Sequence, residues 1–276
     1  TASHCCEAFF IPLCLMISND ILNIALIEYD IKWEDPTSNI NYLEKKLNNL
    51  PNQIEFIILP EMFTTGFTMN AANYAESMNG KTIKWMKSVA FEKKCAIAGS
   101  IIIKENNCFY NRFVFVYPDK RIEYYDKRHL FSLASEEKVY EKGVSKKIVE
   151  FKNWKINLQI CYDLRFPVWS RNSNNYDLLL YVANWPDKRI KHWDILLQAR
   201  AIENMSYCIG VNRIGKDIND HQYPGHSNVI DFKGKPLAQL NEDNNVKLFT
   251  LVKTELYKYR ANFKFLEDRD SFNLEV

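Results

Sequence analysis

The sequence predicts an α/β fold with a mixed sheet. Short apolar runs of strand composition alternate with amphipathic helical segments along the chain, which is the pattern of an α/β protein. Tight turns such as Asn106-Asn107 and Pro118-Asp119 join neighbouring runs, and hairpins of this kind add antiparallel pairs to the parallel ones. No repeat, low-complexity tract or Gly/Ser/Pro-rich linker interrupts the chain. We therefore predict one domain over residues 16–276.

Local patterns place the elements in chain order. Apolar residues at 3-4-3 spacing from Ile40 to Leu50 share one helix face, and Pro51 stops that helix. Pro167 suits the first position of a short helix, and Lys233-Gly234 is a predicted hairpin turn. The predicted strands are 22–29, 54–59, 95–103, 108–117, 121–126, 148–151, 154–160, 177–183, 207–213, 226–232, 236–241 and 247–253, and the further helices are 81–94, 167–174 and 188–205. After residue 254 we predict an arm that packs on the body or on a second subunit.

Composition narrows the class of partner. Hydrophobic residues make up 47% of the chain and aromatic residues 14%, which is enough for a sizeable core. The 36 basic and 34 acidic residues nearly cancel, and no run of five or more Lys/Arg occurs. These features speak against a nucleic-acid or membrane-surface partner and favour a small molecule. The seven cysteines form no Cys-x-x-Cys pair, which predicts a reduced, cytoplasmic protein.

The first residues differ from the rest. The chain begins at Thr1, and the apolar run before Met16 has no preceding Lys or Arg and is too short to span a bilayer. We expect residues 1–15 to be an upstream or vector-derived extension, outside the domain.

Polar residues directly follow three apolar strands. Glu61, Cys161 and Asn184 end such runs, and ligands of α/β sheets bind at the carboxyl ends of strands. Lys127 lies among aromatic and apolar residues in YYDKRHLF. Glu61, flanked by apolar residues, suits general base work, and a strand-end cysteine is a candidate nucleophile. A polar residue can also simply mark a strand end, and a lone buried cysteine is usually core filler, so residue types alone leave both interpretations open.

The blocks LPEMF, YDKRHLF and CYDLRFPVWSRN, in this order, resemble the three signature blocks of the nitrilase (carbon–nitrogen hydrolase) superfamily, and the likeness extends from about residue 20 to the C-terminus. The resemblance implies a four-layer α-β-β-α sandwich. It implies Glu61 as base, Lys127 as oxyanion stabiliser and Cys161 as nucleophile, with the Tyr162 N–H also binding the oxyanion and with no metal or cofactor. It also implies a thioester on Cys161 and a homodimer.

The family often has a second glutamate seven residues before a glycine. Gly143 places it at Glu136, with the adjacent Glu137 left open.

Longer strings, including PEMFTTGF, LYVANWP and QARAIENMSYCIGVNRIG, resemble the bacterial omega-amidase branch. That branch hydrolyses terminal amides of short keto-dicarboxylic acid monoamides, such as 2-oxoglutaramate and 2-oxosuccinamate. Such a substrate needs a cation for its carboxylate, and Arg165 is a candidate, with an ion pair to Asp163 as its alternative role. Aromatic side chains are candidates for the pocket wall, although core packing explains each as well: Phe63, Phe67, Phe131 and Trp185.

Other functions are weighed against this one. The same fold serves N-carbamoyl amino acid and other aliphatic amide hydrolases, and a catalytically silent binding protein is a more remote alternative. A papain-like enzyme needs a paired histidine, and His129 in the lysine block is better explained by a structural hydrogen bond. The pair His221 and His226 has no nearby cysteine, so we predict no metal site there.

Overall fold

A computed structural model describes residues 20–241 and 245–275. The extension predicted at 1–15 lies outside the described residues. The strands are β1 Ile21–Ile27, β2 Phe56–Ile58, β3 Ala96–Glu105, β4 Cys108–Val116, β5 Ile122–Asp126, β6 Ile148–Phe151, β7 Trp154–Ile160, β8 Leu178–Ala183, β9 Tyr207–Asn212, β10 Ile214–Lys216, β11 Gln222–Pro224, β12 Asn228–Ile230 and β13 Val246–Val252. The α-helices are α1 Pro36–Asn48, α2 Ala71–Tyr74, α3 Lys81–Lys93, α4 Pro167–Ser170, α5 Ile190–Asn204 and α6 Lys253–Asn262, and single 3₁₀ turns occupy Ser132–Ala134, Glu136–Lys138, Cys161–Arg165 and Asp187–Arg189.

Two mixed sheets form the centre of the fold. The first has the order β13-β1-β2-β3-β4-β5, with parallel pairs among β1, β2 and β3 and antiparallel pairs outside them. The second has the order β12-β9-β8-β7-β6, with β7, β8 and β9 parallel and the two edges antiparallel. In each sheet the parallel strands therefore lie in the middle, and their carboxyl ends meet at one edge.

The apolar clusters define four layers. One cluster joins inward-facing residues of both sheets, among them Leu26 of β1 and Leu158 of β7. A second packs the outer face of the first sheet against α1 and α3 through residues such as Leu43 and Met86. A third packs α5 on the outer face of the second sheet, with Trp193 at its centre. The predicted α-β-β-α sandwich with mixed sheets is confirmed.

The structure corrects two predicted elements. Helix α4 ends at Ser170 and does not reach 174, because the Asn172 amide bonds both the N–H and the carbonyl of Tyr176 and turns the chain. The segment predicted as a strand at 236–241 makes only an isolated bridge between Pro236 and Ile230. The Leu237 N–H still donates to the Val229 carbonyl, but the Leu240 N–H donates to the Leu248 carbonyl of β13, so the segment leaves β12 after the bridge.

The predicted C-terminal arm begins as a helix. Leu256 of α6 is fully buried in the cluster between the sheets, so this part packs on the body of the chain. Residues 263–275 form no regular element. No helix in the described ranges has the length and apolar character that crossing a membrane requires.

Truncation of Leu158 to alanine tests the shared core. Its side chain is fully buried between the sheets, so Leu158→Ala should lower the free energy of unfolding by about 2–5 kcal/mol. Val144→Ala is the control, since Val144 is 63% exposed. Urea denaturation of both variants measures the effect, and equal losses would contradict a core shared by the two sheets.

Candidate active site

The three predicted strand-end residues lie at the carboxyl ends of parallel strands, with Asn184 directly after β8. Cys161 follows β7 without a gap and opens a 3₁₀ turn, and Glu61 comes shortly after β2. Cys161 has a φ of 44° and Met62, next to Glu61, has a φ of 43°. L-residues rarely adopt this left-handed conformation, and such strained positions concentrate at functional sites.

A buried ion cluster lies beside the cysteine. The Lys127 ammonium donates to Glu61 Oε1 at 2.9 Å and to both oxygens of Glu136 at 2.9 and 3.0 Å. All three side chains are at most 1% exposed. Glu137 is exposed, so the structure brings Glu136, and not its neighbour, to Lys127.

Further hydrogen bonds fix the two carboxylates. The Glu61 Oε2 accepts from the backbone N–H of Asn184 at 2.8 Å, and the Asn184 side chain donates to the Glu61 carbonyl at 2.7 Å. These bonds join the end of the first sheet to the end of the second. Glu136 Oε2 accepts from the Phe131 N–H at 2.6 Å.

Burial and charge decide where protons reside in the cluster. Burial raises the pKa of the Cys161 thiol well above its ordinary value, and the nearby Glu61 charge raises it further. Burial alone would lower the pKa of Lys127, but Glu136 and Glu61 more than offset this and the pKa is raised. Burial also raises the pKa of Glu136, which Lys127 opposes. The resting site therefore holds a protonated thiol beside a charged ammonium.

A cavity of about 530 Å³ opens onto this cluster. Of the residues predicted to contact substrate, Tyr162, Arg165, Phe131 and Trp185 line it, as does Phe67. Phe63 does not: it is fully buried in the core between the first sheet and its helices, 6.0 Å from the Trp85 ring. Its position two residues after Glu61 does not indicate whether its ring faces the cavity or the core.

Arg165 forms no ion pair with Asp163. The Asp163 carboxylate instead accepts from the Ile160 N–H and the Tyr125 hydroxyl and binds His129 Nδ1 at 2.7 Å, which bears out the structural role predicted for that histidine. Arg165 lies 4.9 Å from the centre of the Trp185 ring, facing the cavity.

Two residues of the site are not predicted by the sequence analysis. Asn111, in the middle of β4, donates from Nδ2 to Glu61 Oε1 at 2.8 Å, and its only sequence signal is the polar pair Asn111-Arg112 inside an otherwise largely apolar strand. Arg189 also lines the cavity, with its guanidinium 5.3 Å from the centre of the Phe131 ring, and no local pattern marks it. Throughout the described part of the chain, no group of three or more His, Cys, Asp and Glu could hold a metal ion.

Two mixed sheets between helical layers, with a cysteine, a lysine and two glutamates gathered at the strand ends, define a nitrilase-type hydrolase. The chain belongs to the carbon–nitrogen hydrolase family, whose model matches residues 23–260. It is 43% identical to Omega-amidase YafV of Yersinia enterocolitica over 92% of this chain and 98% of that protein. It is 29% identical to the 2-oxoglutaramate amidase of Bacillus subtilis (strain 168) over 89% and 96%.

A solved structure agrees with this assignment. The crystal structure of a CN-hydrolase superfamily protein from Xanthomonas campestris, described with an arsenic adduct in its active site, matches with a TM-score of 0.89 and 41% identity. The match covers 92% of this chain and 99% of that one.

Removal of the buried cation should destabilise the fold in a pH-dependent way. Lys127→Met leaves two buried carboxylates without their ammonium, and breaking a buried pair in this way costs about 3–5 kcal/mol. The pKa of Glu136 is already raised in the fold, so the fold favours the protonated carboxyl. The free energy of unfolding of the variant should therefore decrease as the pH rises through the pKa of Glu136, and recover as the pH falls. Urea denaturation between pH 5 and pH 8 measures this, and a loss independent of pH would contradict it.

Proposed function

We propose that this chain is an omega-amidase. It hydrolyses the terminal amide of short keto-dicarboxylic acid monoamides, such as 2-oxoglutaramate and 2-oxosuccinamate, to the acid and ammonia. The observation that carries the proposal is the Cys161 thiol beside the Glu61–Lys127–Glu136 cluster, in a cavity that also presents two arginines. The identity to omega-amidases over most of the chain supports the same substrate class.

In the first half-reaction, Glu61 accepts the thiol proton as the Cys161 sulfur attacks the amide carbon. The negative charge that develops on the carbonyl oxygen is stabilised by the Lys127 ammonium and the Tyr162 N–H. In the resting site the three N–H donors of the ammonium face three carboxylate oxygens, two of which belong to Glu136, so one donor turns from Glu136 to the oxyanion. The C–N bond then breaks, the nitrogen takes the proton from Glu61, and ammonia leaves a thioester on Cys161.

In the second half-reaction, water attacks the thioester carbon and gives its proton to Glu61. The C–S bond breaks, the acid is released, and the proton returns to the sulfur. Glu61 thus moves one proton out and back in each half of the cycle, and Glu136 keeps Lys127 charged and in place. The reaction consumes one water, and these side chains perform every proton transfer in it.

The carboxylate end of the substrate needs a cation. Arg165 and Arg189 face the cavity over aromatic rings, and neither forms an ion pair within the described residues. Asp217, which also lines the cavity, is occupied: it accepts from the Tyr223 hydroxyl and from the N–H groups of Asn219 and His221. Arg165 and Arg189 are therefore cations of the cavity that can pair with a substrate carboxylate, which suits an anionic amide.

A homodimer in the reducing cytoplasm completes the proposal. Ile195 and Ile202 are both more than half exposed and lie seven residues apart on one face of α5, a surface suited to a second copy. Cys95, Cys108, Cys161 and Cys208 are free thiols, which agrees with a reducing compartment.

A substrate panel tests the function. Ammonia release should be fastest from 2-oxoglutaramate and 2-oxosuccinamate, slower from simple aliphatic amides, N-carbamoyl amino acids and glutamine, and negligible from nitriles. Cys161→Ala should abolish turnover while it preserves the melting temperature, since the substitution removes only the attacking sulfur. Preference for a carbamoyl amino acid would favour the alternative hydrolase, and turnover of none of these compounds would favour the binding protein.

The two arginines should determine charge selectivity. Arg165→Leu and Arg189→Leu should each lower kcat/KM for 2-oxoglutaramate by about 10–100-fold, the worth of a hydrogen bond to a charged group. Turnover of the neutral butyramide should stay within about threefold of wild type, because it has no carboxylate to bind. Lys188→Leu is the matched control, an exposed cation beside Arg189 that does not line the cavity. Equal losses on both amides would argue against a carboxylate site.

A further inference from the structure

Asn111 donates to both carboxylates of the buried cluster. It lies in the middle of β4, fully buried, beside Arg112 and among the apolar residues that the strand supplies to the core. Its side-chain nitrogen donates to Glu61 Oε1 at 2.8 Å and to Glu136 Oε1 at 3.3 Å. Its backbone carbonyl accepts from the Lys127 N–H at 3.0 Å.

The orientation of this amide is set by its neighbours. Rotation by half a turn would place the amide oxygen against two carboxylates, so the nitrogen has to face them. The oxygen Oδ1 is then buried with no hydrogen-bond partner within the described residues. An unpaired buried acceptor is unfavourable for stability, so stability alone does not explain an asparagine at this position.

We propose that Asn111 is a positioning residue that keeps the Glu61 carboxylate ionised and aimed at the Cys161 thiol. This inference rests on the proposed role of Glu61 as the proton acceptor. Glu61 and Glu136 share one ammonium, so their charges repel each other across Lys127. The Asn111 N–H groups donate to the Oε1 atoms of Glu61 and Glu136, which Lys127 also binds. Hydrogen bonds to a carboxylate favour its charged form.

The consequence is a carboxylate ready to accept a proton in a site where burial favours neutral groups. Asn111 itself neither donates nor accepts a proton during the reaction. Without its amide, the Glu61 carboxylate should lose its fixed orientation toward the thiol, and Cys161 should be deprotonated less effectively at neutral pH.

Two substitutions test this role. Asn111→Asp keeps the shape but replaces the donor, and Asn111→Leu removes all polarity at similar volume. Both should lower kcat for 2-oxoglutaramate by about 100-fold, the lower end of a general base contribution, with KM within about threefold. Both should also move the acidic limb of the kcat/KM profile upward by about one pH unit. Asn157→Leu is the control: Asn157 is equally buried, but on β7 and bonded to Gln159.

A second measurement needs no substrate. The rate of Cys161 alkylation by iodoacetamide, followed by intact mass against pH, reports on deprotonation of the thiol. Its pH dependence should shift upward in both Asn111 variants and stay unchanged in Asn157→Leu. If the wild type releases no ammonia but the alkylation profile shifts in the Asn111 variants, the proposed function is refuted and the role of Asn111 is supported. Unchanged profiles, or variants that fail to fold by circular dichroism, would show a purely structural role and overturn the inference.

Discussion

The site depends on one buried ammonium. Lys127 is held between Glu61 and Glu136 with almost no contact with solvent, and a buried charge persists only when it is paired and hydrogen-bonded. Its partners come from distant parts of the chain: Glu61 follows β2, and Glu136 lies in a 3₁₀ turn after β5. Asn184, at the end of β8, ties Glu61 to the other sheet. The ion cluster is therefore built on the first sheet, and the Asn184 bond connects it to the second.

This constraint has a chemical consequence. A lysine close to a cysteine usually favours the thiolate, yet here two carboxylates neutralise the lysine and burial raises the pKa of the Cys161 thiol. The nucleophile is thus stored as a thiol and is activated only when Glu61 takes its proton. In the proposed mechanism, the ammonium acts mainly on the oxyanion, which is absent from the resting enzyme and appears only as the substrate reacts.

Most strands and the catalytic side chains could be predicted, because short stretches of sequence mark both. Strands 148–151 and 154–160 were predicted with the bounds that the structure shows, since alternation and flanking turns define them. Cys161 and Glu61 follow apolar strands directly. Other features depend on tertiary packing. Phe63 has the same local context as a pocket residue but turns into the core, and Asn111 reads as an ordinary polar residue until β4 is placed beside Glu61.

The residues that perform catalysis and those that select the substrate also differ in how they are held. The ion cluster is buried and fixed by hydrogen bonds, so it has little freedom to vary with the substrate. The arginines come from turns and are held by aromatic rings: Trp185 lies under Arg165, and its indole N–H donates to the Arg189 carbonyl at 2.8 Å. A substitution in this wall changes which amide binds without disturbing the buried charges. A common catalytic centre can therefore serve different amides when the cavity wall changes, and in this chain the two arginines of the wall favour an anionic amide.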